Sequence, residues 1–507
     1  MALILPADPA PSRGAAPVAA STAAPGAQAP SAPAASGRAA ALRKALPALA
    51  DRPSLLAAAT VLLVCVPTGE KDVTAAVHIT VADLASLALV ALTALNLLRG
   101  RLPAVGRTTC ALFGGIVTAA AVATVGSIDP ATSVTGFVRL VQVFVLVPAA
   151  VLCSLRDRTD RRLVLGSFVL AALVQGVVGT EQYLTRTGAS YTGEPIRAVG
   201  TFGALDVMAM STVVSYGLLA ALALALGERG PAGDARLRRS MSGAAAFLVL
   251  PLAVSFSRGS WIATGVAATV LLLRADARLA VRSAVLGLAA AVVLVGGLGL
   301  GGSGVTKRLS SIGSVSAAPD QSVSDRYDLW ATAGRIWQDH PVHGAGPKAF
   351  QQLRDSHAPL RLSSGSDAAD PTIGFRREPL LSPHNMYFLV LSEQGLIGIT
   401  AYAALFLTLL LGCLRRPRGS GLAALALLTW VLVDYLYADI GGTTTVLTSV
   451  VLGLAARAAA HRPEPEERAA AERDRRHPGA VGSERFGFER FGFERSGNER
   501  AALGAGR

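Results

Sequence analysis

Cysteine, charge and aromatic side chains are all scarce in this chain, and each shortage removes a class of protein. The four cysteines, Cys65, Cys110, Cys153 and Cys413, sit in or at the ends of apolar runs. There they behave as small hydrophobes, which excludes a disulfide framework and a cysteine-based metal centre. Only 16% of the residues are charged and 5% aromatic, against 51% hydrophobic, and the mean hydropathy is +0.47. A soluble globule of 507 residues would carry more charge. No Walker sequence, strand-linked GxGxxG, HExxH or cysteine/histidine ligand spacing is present, so no nucleotide, metal or other cofactor is expected. The basic excess, +13 with a pI near 10.2, is dispersed over short loops without aromatic interleaving, which argues against nucleic acid as a partner.

What the chain does have is apolar stretches separated by short polar breaks. A spanning helix needs about 20 mostly apolar residues. Twelve candidates lie near 53–67, 73–98, 108–127, 134–153, 163–184, 204–226, 241–256, 259–273, 279–301, 385–414, 421–438 and 443–460. The fold class expected is therefore all-α, a polytopic helix bundle of residues 53–460 embedded among membrane lipids. Residues 1–52, rich in Ala and Pro, and 461–507, charged and ending in a Glu-Arg-Phe-Gly-Phe repeat, read as disordered tails. The first lacks a positive region leading into an apolar one, so it is not a secretory signal.

Charge orients the bundle. Arginine clusters at 99–107, 156–162, 229–239, 274–282 and 415–418 fall in alternate breaks, seventeen residues in all. The short breaks opposite carry Lys71, Arg186, Arg197 and Arg258. By the positive-inside rule both tails are cytoplasmic, and the long segment 302–384 is extracytoplasmic. The alternation survives only if 241–273 makes two passes. Its halves are then 14–16 residues each, which would recess the turn Ser257-Arg258-Gly259 below the outer surface. An arginine at such depth needs a watery cavity, an anionic partner or a snorkelling path to headgroups.

The chemistry-bearing residues gather on the outer side. In the long loop, Ser324 or Asp325 can cap a helix whose Leu329, Trp330, Ala333, Ile336 and Trp337 recur at helical spacing before Pro341 stops it. This helix is expected to lie on the membrane surface, with Arg326 in its first turn. The stretch His340-Pro341-Val342-His343-Gly344-Ala345-Gly346 reads as a turn, whose histidines serve either as helix-ending residues or as ligands or bases. His384 stands at the mouth of the next apolar run, where a neutral imidazole can accept a proton from a sugar hydroxyl or cap the helix. Asn385 can orient it or a substrate. Glu393 lies two turns deeper, either orienting a partner or buried and protonated, with Gly395 and Gly398 allowing close packing. Two arginines and a histidine on one side suit an anionic leaving group such as a lipid diphosphate, together with a deprotonated hydroxyl.

Several of these stretches resemble the successive signatures of the O-antigen ligase/polymerase superfamily. They are Ser255-Phe256-Ser257-Arg258-Gly259-Ser260-Trp261, Arg326 with Trp330, His340-Pro341 with Gly344 and Gly346, and His384-Asn385 with Glu393-Gln394-Gly395-Leu396-Ile397-Gly398. Gly200-Thr201-Phe202-Gly203 resembles a further motif, although Ala204-Leu205-Asp206 follows it where the family often has His-Pro-Asn. The resemblance implies a GT-C-like, metal-independent glycosyltransferase of the plasma membrane. It would move a glycan from an undecaprenyl-diphosphate carrier to an acceptor glycan or lipid. Arg258 and Arg326 would hold the diphosphate, His384 would activate the acceptor, and Arg197, Asn385, Trp330 and Glu393 would line the substrates. The competing class is a multi-pass transporter of bicarbonate or another small anion, with Asp83, Glu393, Asp434 and Asp439 as its scattered candidates.

Overall fold

The structure, a computed structural model, describes residues 51–67, 80–102, 105–191, 197–203, 206, 208–227, 234–278, 282, 321–360, 362, 365–370, 374–416 and 421–460. The expected span 279–301 but for Arg282, the loop start 302–320 and, but for two residues, both expected tails lie outside these. The other eleven expected spans are helical. They form α1 (Ser54–Leu63), α2 (Val81–Leu98), α3 (Arg107–Val125), α4 (Pro130–Ser154), α5 (Arg158–Thr185), α6 (Ala209–Gly227), α7 (Ala235–Val254) and α8 (Arg258–Ala275). In the loop come α9 (Gln321–Asp339) and α10 (Ala349–His357), and then α11 (Met386–Leu414), α12 (Leu422–Asp434) and α13 (Thr445–Ala460). Seven of these, α2 to α7 and α11, are long and apolar enough to cross a membrane.

Local chemistry explains the boundaries. Thr80 and Asp83 form a capping box that starts α2, with Asp83 N–H donating to Thr80 Oγ1 at 3.1 Å and Thr80 N–H to Asp83 Oδ2 at 3.0 Å. Asp234 caps α7 by accepting from the backbone of Arg236 and Leu237 at 2.9 and 3.1 Å. That cap draws the 236–239 arginine cluster into the helix. The two passes of 241–273 are consequently 20 and 18 residues long, not 14–16, and the shortness that would have recessed the Arg258 turn is gone.

The described helices run to and fro between two ends. At one end, Ser54 donates to Asp160 at 2.6 Å, Arg457 to the Leu155 carbonyl at 2.7 Å, and Arg274 to the carbonyls of Leu414 and Arg416 at 2.9 and 2.8 Å. Arginines there cap helix C-termini, whose orphan carbonyls need donors. At the other end the α3–α4, α5–α6 and α12–α13 junctions meet the long loop: Ile128 N–H donates to the Ala345 carbonyl at 3.2 Å, Ser190 pairs with Ala369, and Ser382 donates to Asp439. Inside, hydroxyls join α6, α8 and α12: Thr264 donates to Ser215 at 2.9 Å, Trp430 Nε1 to Thr264 at 3.0 Å, and Ser211 and Ser260 bond at 2.9 Å.

Two features depart from a plain bundle. A small antiparallel sheet, in the order β1 (Ser190–Tyr191), β2 (Gly365–Asp370), β3 (Gly374–Pro379), stitches the α5–α6 loop to the long loop, with Ser190 opposite Ala369 and Gly365 opposite Pro379. The second is a break in α11. Gly395 has φ 60° and ψ −155°, so the helix ladder is interrupted and its orphan groups turn outward. The His340–Gly346 turn fills the gap. Leu396 and Ile397 N–H donate to the Pro341 and Val342 carbonyls at 3.0 and 3.1 Å, and Ala345 and Gly346 N–H to Ser392 and Glu393 carbonyls at 3.0 and 2.9 Å. A Cβ on Gly344 would collide with the Glu393–Gln394 backbone, and one on Gly395 with the Val342 carbonyl.

Gly344→Ala should therefore destabilise the protein by at least about 2 kcal/mol, since left-handed backbone and overpacking each cost about 1–3 kcal/mol. Gly334→Ala on α9 should be neutral or slightly stabilising, because that Cβ meets nothing within 4 Å. Thermal unfolding of the two variants in detergent, followed by size-exclusion, compares them directly.

Candidate functional site

The long loop has its own small core, and that core sets α9. Leu329, Ala333 and Ile336 are buried together with Ala345, Ala349, Phe350 and Leu380. The helix thus packs on α10 and α11 rather than lying free on a membrane surface. It begins at Gln321, ahead of the expected caps, so Ser324 and Asp325 are inside it and Arg326 stands in its second turn. Trp330 Nε1 donates to the Pro383 carbonyl at 3.0 Å, and its ring stacks on Phe388 at 5.9 Å and 16°. Trp330 is therefore a bracket that ties α9 to the residue preceding His384.

His384 is partly buried and holds a left-handed backbone, φ 45°. Such a conformation costs a non-glycine residue about 1–3 kcal/mol and persists where its surroundings enforce it. Here the His384 N–H donates to Ser382 Oγ at 3.0 Å, and the Ser382 hydroxyl donates to the Asp439 carboxylate. Burial pulls the imidazole pKa below its ordinary 6.5; the Asp439 carboxylate pushes it back up, and the Arg326 guanidinium lowers it again. A neutral imidazole beside a fixed cation can accept a proton near neutral pH. Arg326 also acts electrostatically on Asp434 and Tyr437, so loop helix and bundle share one polar cluster.

Arg258 is the first residue of α8. Tyr437 donates its hydroxyl to the Gly259 carbonyl and packs its ring over Gly259, so the first turn of α8 is pinned to the α12–α13 junction. Ser257 caps α8 by accepting from Ser260 N–H at 3.3 Å, and Phe256 just before it is left-handed at φ 51°. Arg197 is buried, its backbone bridged to Ala189, and the next residue, Ala198, donates to the Val254 carbonyl at 3.2 Å. The Gly200–Phe202 turn is held by Gln175 and Gln182 side chains, which accept from Thr201 and Gly200 N–H at 3.0 and 2.8 Å. Asp206, in the divergent position, accepts from Thr443 N–H and Oγ at 3.2 and 2.7 Å.

Two of the residues expected to line the substrates make contacts within the fold. Asn385 caps α11, its Oδ1 accepting from Tyr387 and Phe388 N–H at 3.0 and 3.1 Å while its amide donates to the Leu436 carbonyl at 2.8 Å. Glu393 points its carboxyl group at the N-terminus of α10, accepting from Phe350 N–H at 3.3 Å. The sequence does not single out Ser382 and Tyr437, and it brings in Asp439 only for the transport alternative. A serine two places before His384 was the only sequence-level hint, since Asp439 arrives from another helix pair. Asp83, grouped with the transport candidates, is paired with Arg139 and accepts from Gln142 Nε2 at 3.4 Å, at the π-turn Gln142–Leu146 of α4. Among the described residues no group of three or more His, Cys, Asp or Glu is placed to hold a metal ion.

A comparison with curated proteins finds no match for this chain. The family model described as O-antigen ligase matches residues 243–403, narrower than the 53–460 over which the motifs resemble that family, and leaves out Arg197 and Asp439. Within the match lie Arg258, Arg326, the turn that fills the α11 break, and His384, so residues 243–403 are similar to O-antigen ligase.

Proposed function

We propose that the chain is a glycosyltransferase that transfers or polymerises a glycan from a polyprenyl-diphosphate carrier, undecaprenyl diphosphate being the carrier the resemblance suggests, to an acceptor hydroxyl. What supports this reading is that Arg326 and His384, both within the segment matched by the family, lie close enough to act on each other electrostatically, with Asp439 behind the histidine from outside that segment. Such transferases need a lipid-linked glycan and an acceptor, and both needs map onto the cluster.

In this reading the diphosphate sits against Arg258 and Arg326, whose guanidinium groups offer forked donors to its oxygens. The lipid tail lies along the apolar helices. His384, neutral before reaction, takes the proton of the acceptor hydroxyl as the oxygen attacks the anomeric carbon. The bond from that carbon to the diphosphate oxygen breaks, and the carrier diphosphate leaves with the electron pair. Asp439 stabilises the imidazolium so formed, while the arginines stabilise the departing charge. Arg197 lies near the Arg258 turn as a secondary contact. The positive-inside rule puts the arginine-capped end in the cytoplasm and this cluster at the outer face of the plasma membrane.

Loss of His384 (His384→Ala) is expected to slow transfer by about 10²–10⁴-fold with folding intact, measured in membranes supplied with lipid-linked donor. Arg258→Ala and Arg326→Ala should each lose about 2–4 kcal/mol of transition-state stabilisation, roughly 30- to 1000-fold in kcat/KM. Because the His384 pKa is held below its ordinary value, the acid limb of kcat/KM should fall below pH 6.5. Asp439 is the group that raises it, so Asp439→Asn should move that limb further toward acid. A limb that moved toward base would contradict the assignment.

A further inference from the structure

Beside the charged cluster stands an aromatic step that the reaction described above does not use. Tyr327 follows Arg326 directly on α9 and is 48% exposed. Its ring meets Trp330 edge-on at 5.3 Å and 88°, and Trp330 in turn is stacked on Phe388 and hydrogen-bonded to Pro383. The step is rigid from below, because α9 buries Leu329, Ala333 and Ile336 in the loop core. The Tyr327 ring is thus held in place by the Trp330 edge while remaining half exposed beside the polar cluster.

Resting on the reading of Arg326 as a diphosphate ligand, we propose that Tyr327 is a sugar-binding residue, stacking the pyranose ring attached to the carrier diphosphate. The chemistry is complementary. The face of an aromatic ring carries negative quadrupole charge, and one face of a pyranose presents polarised C–H groups. The occupant follows from position. A sugar bonded to the diphosphate held at Arg326 lies within reach of one ring from the adjoining residue, whereas the acceptor must approach His384, beyond the Trp330 bracket. Trp330 supports the platform without offering its ring, which is engaged by Phe388.

The test compares two probes on the full chain in nanodiscs: undecaprenyl diphosphate carrying one N-acetylglucosamine, and bare undecaprenyl diphosphate. Wild type should bind the sugar-bearing carrier about fivefold more tightly, in the range of a single aromatic contact. Tyr327→Phe should keep that preference, while Tyr327→Leu and Tyr327→Ala should abolish it without weakening the bare carrier. A leucine that preserved the preference, or an alanine that weakened both probes equally, would overturn the sugar platform and leave the diphosphate reading standing. Failure of wild type to bind either probe would instead overturn the diphosphate reading and the platform together.

Discussion

The architecture of the site depends on one exchange of hydrogen bonds, that between the broken helix α11 and the His340–Gly346 turn. Each backbone group left without a partner away from water costs several kcal/mol. The break at Gly395 exposes N–H and carbonyl groups on both sides, and the turn supplies the complementary set: two carbonyls to Leu396 and Ile397, two N–H groups to Ser392 and Glu393. The long loop is thereby fixed in register against the bundle. Glu393 continues the clamp by capping α10, and Ser133 donates to the Pro347 carbonyl at 2.9 Å from the α3–α4 junction. With the turn anchored, α9 has one place to pack, and Arg326 is brought to His384.

Electrostatics at the cluster is a balance of opposed effects on His384. Burial and Arg326 favour the neutral ring, whereas Asp439 favours the charged one. A base needs this compromise. The carboxylate raises the imidazole's affinity for a proton, while burial and the arginine lower it. The left-handed backbones at Phe256 and His384 belong to the same economy of position, with short caps from Ser257, Ser382 and Asn385 holding strained turns in place.

Three of the four acidic residues weighed for a transport reading, all but Asp434, make local hydrogen bonds. Asp83 caps α2 and pairs with Arg139, Glu393 faces the α10 N-terminus, and Asp439 accepts from Ser382. Asp206 likewise is spent on Thr443, which turns the divergent loop after Gly200-Thr201-Phe202 into a latch on the α12–α13 junction.

By itself the sequence determined the helical segments, their alternation and the residue types of the cluster. These are local properties: apolar length, arginine placement, and the Ser, Asp and Asn caps are all read within a few residues of where they act. It also carried enough motif order to point to the family whose model matches residues 243–403. Tertiary structure alone decided that Gly395 breaks a helix, since an identical glycine in an unbroken helix reads the same way until a turn arrives to satisfy the freed backbone. It decided that Asn385 and Glu393 are caps, that Asp439 stands behind His384, and that a three-stranded sheet joins two loops. Each of these is a hydrogen bond between residues far apart along the chain, and periodicity holds no record of such partners.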